Sequence, residues 1–201
     1  MKHLLLIRHG ESEWNRIGRI QGQTDTPLTE AGRFQAECMA DFLSARLQLS
    51  NLRMHVSPMQ RARMTASIIA REIGYPEERI IVDRRLNDFH LGEIAGTHGW
   101  EQVAIVQPEL AHLRLHDPMN FHPAGGESGR DFWNRLADFL DQPADDDTTH
   151  LVVSHGVVNK FLRAIRRNLQ GADIIAQGES QQSVFELIGD REIEHCIEER
   201  V

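Results

Sequence analysis

Apolar positions along this chain follow two spacings. Leu4–Ile7 and Leu151–Val153 are short unbroken apolar runs, the pattern of strands buried on both faces. Elsewhere apolar residues recur every three or four positions. Thr29 to about Leu47 reads as a helix, with Thr29 as N-cap and Phe34, Cys38, Phe42 and Ala45 along one face. Arg53–Ser57 reads as a short strand. Pro58 suits the first turn of a following helix, lined by Ala62, Ala66, Ile69 and Ile73 and stopped by Gly74 and Pro76. Ile80–Val82 is a further short strand, and Glu127–Leu140 a helix carrying Phe132, Leu136, Phe139 and Leu140. Pro143 and Asp145-Asp146-Asp147 mark a solvated turn, and a helix runs from Gly156 to about Leu169. Val184–Ile188 and Glu192–Ile197 pair as a hairpin around Gly189-Asp190. The segment from about 92 to 126 breaks the pattern: it reads as irregular, with one short helix, and a connection of that length is usually functional. Strand–helix alternation predicts an α/β layer architecture.

Composition narrows the classes. The 201 residues suit a single domain, 1–201, with an insertion at about 92–126, and 40 % hydrophobic residues suffice for a core. No apolar run approaches a bilayer span, and Leu4–Ile7 is too short for a signal-peptide core. Cys38 and Cys196 lie far apart and form no metal-type spacing, so a cytoplasmic protein with reduced thiols and no metal is expected. A formal charge of −8 argues against nucleic-acid binding. An anionic substrate must then be drawn by a local cluster of cations.

Candidate chemistry sits at the strand ends. Arg8-His9-Gly10-Glu11 directly follows the first apolar run, at the carboxyl end where open α/β sheets bind ligands. Arginine matches phosphate oxygens with a planar fork of donors, and a neutral imidazole nitrogen can attack phosphorus. Ser154-His155-Gly156 repeats the strand–His–Gly junction. Alone, His155 would read as a cap or core histidine; the pairing of two such junctions points to one site. Arg61 follows a third strand end, one turn into a helix whose N-terminus also suits phosphate. Arg63 points elsewhere on that helix. Trp100, Phe121 and the histidines between Thr97 and Pro123 read mainly as lid packing and solvated positions.

These residues, in order, resemble the histidine phosphatase superfamily, the phosphoglycerate mutase-like group. Arg8-His9-Gly10-Glu11 with Asn15, Gln21-Gly22 with Asp25 and Pro27-Leu28-Thr29-Glu30, Ser57-Pro58 with Arg61-Ala62 and Thr65-Ala66, Gly126-Glu127-Ser128, and Val153-Ser154-His155-Gly156 carry the likeness. The resemblance implies a three-layer sandwich with a mostly parallel central sheet flanked by helices, plus an inserted lid. It implies His9 as the phosphoryl acceptor, with Arg8, Arg61 and His155 gripping its oxygens and Asn15 supporting them. Gln21, Gly22 and Glu127 would contact substrate, and no cofactor is implied. Where the family usually has a glutamate as proton donor, Leu86-Asn87-Asp88 stands, so Asp88 takes that role, with Glu93 as competitor. Ile94-Ala95-Gly96 replaces a bulky acidic pair at the rim. The expected activity is hydrolysis of a small-molecule phosphomonoester, releasing inorganic phosphate, as in the compact phosphatase branch. Two rivals share the motifs: a cofactor-dependent phosphoglycerate mutase, generally a longer chain, and a phospho-ligand-binding protein that has lost turnover.

Overall fold

The computed structural model describes residues 3–142 and 147–197. Six strands, β1 (His3–Arg8), β2 (Leu52–Val56), β3 (Ile81–Val82), β4 (Thr149–Ser154), β5 (Ser183–Ile188) and β6 (Arg191–Cys196), form one sheet in the order β3-β2-β4-β1-β5-β6. The first four in that order run parallel, and β5 and β6 add antiparallel pairs at one side. This is the α/β, mostly parallel sheet that the alternation predicts.

Alternation along the strands divides the core. Leu5, Ile7, Met54, Val56, Leu151 and Val153 face α2 (Glu30–Ser44) and α3 (Gln60–Ile73). Leu4, Leu6, Val152 and Phe185 face α6 (Gly129–Leu140) and α7 (Gly156–Arg167). Ala62, Ala66 and Ala70 are buried, so α3 presents small residues to the sheet. On the other face Phe132 and Phe161 meet edge to face at 4.7 Å, and burying each such ring contributes about 3 kcal/mol. The helix ends follow their sequence signals. Thr29 accepts from Gly32 N–H, Ser128 from Asp131 N–H, and Gly74 closes α3 in the left-handed region at φ 73°.

Two expectations need correction. Pro58 lies outside α3, whose N-cap is Met59, because Asp25 from a distant loop receives the first free N–H groups, those of Gln60 and Arg61. The segment 92–126 is less irregular than its sequence suggests. Alongside a short 3₁₀ turn and α1 (Glu13–Arg16) below it, it holds α4 (Gly99–Val106) and α5 (Pro108–His116), with Pro108 in the first turn of the second. Each buries only one residue, Val103 and Ala111, which leaves little helical periodicity to read. A four-residue α8 (Asp173–Ala176) leads towards β5. The turn expected at Pro143, Asp145 and Asp146 lies outside the described residues.

Candidate active site

Parallel pairing of β1 with β4 sets Arg8 beside Ser154, and His9 N–H donates to the Ser154 carbonyl at 2.9 Å. The next residue on each chain is a histidine. The rings of His9 and His155 consequently meet edge to face with centroids 5.3 Å apart. Gly10 makes this strand end possible: a Cβ there would lie 2.1 Å from the Gly32 carbonyl oxygen.

His9 is fixed in one tautomer. Its Nδ1 lies 2.7 Å from the Gly10 carbonyl, which can only accept, so Nδ1 carries the proton. Nε2 keeps its lone pair and receives Arg61 Nε–H at 3.1 Å. Burial, then the Arg61 and Arg8 guanidiniums, hold the ring well below the usual histidine range. The neutral form is therefore the resting form at neutral pH.

Arg61 is fully buried and all of its N–H groups are engaged. Besides His9 they reach the Thr24 carbonyl at 3.0 Å, Asp25 Oδ1 at 3.2 Å, the Gly22 carbonyl at 2.7 Å and Asp88 Oδ2 at 2.9 Å. Asp88 Oδ2 also lies 3.5 Å from His155 Nδ1, and His155 Nε2 meets Ser57 Oγ at 2.8 Å. Burial pushes the Asp88 carboxyl above the usual carboxylate range, against the pull of Arg61 and Arg8. His155 is pushed down by burial and by Arg61. A neutral imidazole and a carboxyl inclined to keep a proton thus share one guanidinium.

His9 and Asp88 floor a cleft of about 430 Å³. Arg8, His9, Asn15, Gln21, Gly22 and Asp88 line it. Arg61 and His155 stand behind His9 and Asp88 and do not reach its wall. Asn15 Oδ1 accepts from Gln181 Nε2 at 3.0 Å, and Gln181 also donates to the His9 carbonyl at 3.1 Å. Gln21 donates to Ser12 Oγ. Gly22, at φ 55°, passes so close to Phe89 that a Cβ would sit 2.7 Å from its carbonyl oxygen. Glu127 lies away from the cleft. Its carboxylate takes Arg135 in a two-pronged pair at 2.8 and 3.0 Å, and Arg135 grips the Arg85 and Asp88 carbonyls. Glu127 thus braces the loop that presents Asp88. Glu93 does not line the cleft either.

Sequence reasoning missed three charged cleft residues, Arg114, Lys160 and Glu179, and the brace Gln181. Arg114 stacks 3.8 Å from the centroid of Trp100, and burial lowers its guanidinium to about 10. Lys160 donates to the Ile175 carbonyl at 2.7 Å and is pushed down by burial. Neither pairs with a carboxylate within 4.0 Å among the described residues. Glu179 lines the same wall, and Gln181 braces Asn15. Lys160 could have been found, one helical turn past His155; the others come from segments with no motif.

The profile of the histidine phosphatase superfamily (branch 1) matches residues 4–191. The chain belongs to this superfamily. Among its relatives, this histidine phosphatase superfamily member is 34 % identical over 165 residues to a metal-independent phosphoserine phosphatase of Arabidopsis thaliana, covering 81 % of this chain and 66 % of that protein. It is 34 % identical over 176 residues to phosphoserine phosphatase 1 of Hydrogenobacter thermophilus, covering 87 % and 79 %. Its structure matches a mycobacterial glucosyl-3-phosphoglycerate phosphatase solved with VO3 at a TM-score of 0.77, with 29 % identity and 98 % of each chain covered. The match thus spans about two thirds of the length of the Arabidopsis relative. No helix among the described residues is long and apolar enough to cross a membrane.

Proposed function

We propose that this protein is a metal-independent phosphomonoester hydrolase working through phospho-His9. The observation that carries the reading is the deprotonated Nε2 of His9 at the cleft wall, with Arg8 beside it and Arg61 Nε 3.1 Å behind. Entry of the phosphoryl group displaces the Arg61 Nε–H from Nε2, which frees the His9 lone pair. Nε2 bonds to phosphorus as the ester P–O bond breaks, and Asp88 gives its proton to the leaving oxygen. Water then attacks the phosphohistidine, Asp88 takes its proton, and inorganic phosphate leaves. Arg8, Arg61 and His155 supply the fixed positive charge and N–H donors on which this transfer depends. Asn15 and Gln21 orient the substrate from the opposite wall, and residues 92–126 cap the cleft.

The cap chooses the leaving group. Arg114 and Lys160 are cations without a carboxylate partner among the described residues, and they face the same cavity as Arg8. They suit a leaving group that carries a second anion. Phosphoserine and glucosyl-3-phosphoglycerate, the compounds for which relatives are named, both do.

The test is hydrolysis of an aryl phosphate in excess chelator. Steady phosphate release is expected, together with an acid-labile phosphoprotein that vanishes in His9→Ala. Binding without turnover would make it a phospho-ligand-binding protein. Isomerisation of 3-phosphoglycerate with only trace phosphate release would make it a mutase.

A further inference from the structure

Glu179 is a buried carboxyl that the transfer above does not use. It stands in the loop between α8 and β5, its side chain 5 % exposed, on the wall that Arg8 shares. Oε1 accepts from Asn159 Nδ2 at 3.2 Å. Oε2 is buried without a hydrogen-bond partner among the described residues, and so is Arg8 Nε. The two side chains pass the same glycine. A Cβ on Gly156 would lie 3.1 Å from Glu179 Cγ and 3.5 Å from Arg8 Cδ and Nε.

The cations around Glu179 are unequally available to it. Arg163 Nη1 is 3.6 Å from Oε2, but Arg163 already pairs with Glu192 at 2.5 Å, donates to the Gly178 carbonyl and lies on the Phe185 ring. Glu192 also holds Arg167 at 3.1 Å. Lys160, on the same helix, points its ammonium at the Ile175 carbonyl, with Arg114 of α5 beyond it. Arg8, from β1, flanks the same glycine and pairs with no carboxylate within 4.0 Å among the described residues. Across the cleft floor stand His9 and Asp88, with His155 behind them. Against this set, burial still wins and raises Glu179 to about 7.

We infer that Glu179 balances the charge of Arg8 in the empty site and takes up a proton when a tetrahedral dianion occupies Arg8. The inference rests on the phosphohydrolase reading only in assigning the dianion to Arg8. The physics is charge conservation in a dry site. While the cleft is empty, Arg8 and the Glu179 carboxylate balance each other. A dianion consumes the Arg8 charge and leaves Glu179 facing a like charge, which favours its neutral form. Linkage fixes the sign: a group whose pKa rises on binding makes the ligand bind more weakly as pH climbs. Product would accordingly be shed more readily on the alkaline side of neutrality.

Tungstate is the probe, because it stays a tetrahedral dianion throughout the range and phosphate does not. Calorimetric titration of the full chain in buffers of different ionisation enthalpy counts the protons taken up. Wild type should take up a larger fraction of a proton than Glu179→Gln near neutral pH. Its Kd should also rise with pH, by up to about tenfold per unit above Glu179's own titration. Glu179→Gln should lose that increment. Equal proton uptake and equal pH slopes in the two proteins would overturn the inference and leave the phosphohydrolase reading intact. Failure of tungstate to bind, or equal binding by Arg8→Ala, would overturn both. A second readout does not need the Gln variant to fold. In Asp88→Asn, Glu179 is the one carboxyl lining the cleft among the described residues. Tungstate should then raise the infrared carbonyl stretch of a protonated carboxyl, and its absence counts against the inference.

Discussion

At the scale of single residues the site is a contest for protons. His9 is kept neutral by burial and two guanidiniums, while Asp88 is pushed towards its acid form although it touches one of them. Desolvation decides both cases, and it acts in opposite directions on a base and an acid. On the proposed mechanism Asp88 matters most when the leaving oxygen is a poor one. Asp88→Asn should lower kcat by about 10²–10⁴-fold on an alkyl phosphate and far less on a nitrophenyl phosphate, whose phenolate leaves unaided. Equal losses on both, measured as released phosphate, would give the proton to another group. Much of this was legible in sequence. Arg8, His9, Arg61 and His155 were found because each follows an apolar run or a proline-marked strand end. That Arg61 and His155 stand behind the cleft wall was not legible, because motif spacing reports proximity along the chain and not depth. Glu127 shows the same limit: its place beside Gly126 gave no sign that Arg135 would take its carboxylate.

At the scale of elements, the sheet places two kinds of histidine. At the strand ends, His9 lines the cleft and His155 packs against it from behind. His55 in β2 and His150 in β4 lie within the sheet, Nε2 to Nδ1 at 3.0 Å and stacked at 5.2 Å, with Phe139 of α6 against His55. Burial lowers each to about 4. Both are neutral when folded, so the unfolded chain binds more protons as pH falls below about 6.5. Stability present above that value is lost between about 6.5 and 4, on the order of 3 kcal/mol for one such histidine. Urea unfolding should show this loss, and His55→Leu with His150→Leu should flatten it. An unchanged pH profile in the double variant would place the acid sensitivity elsewhere. The elements themselves were largely readable. The hairpin at Gly189-Asp190 and the caps at Thr29 and Gly74 stand where turn and cap chemistry put them. Helices α4 and α5 were not readable, since a helix that buries one residue leaves no stripe.

At the scale of the whole molecule, a chain of net charge −8 gathers cations into one cleft. Arg8, Arg114 and Lys160 come from β1, from α5 in the segment over the sheet, and from α7. The distant field repels an anionic substrate and the local one captures it. Arg114→Ala should therefore raise KM for 3-phosphoglycerate by roughly tenfold, a contribution of about 1.4 kcal/mol, while glycerol 3-phosphate, which lacks the carboxylate, changes little. Parallel KM shifts for the two esters would mean that Arg114 only packs on Trp100.

The strand order carries one more consequence. β4 lies between β1 and β2, so the first two of the described strands in chain order never touch each other. The segment bearing His9 must wait, unpaired on that side, until residues 149–154 have been synthesised and slotted in. A polypeptide cut before residue 149 cannot set His155 beside His9, so hydrolytic competence waits for β4.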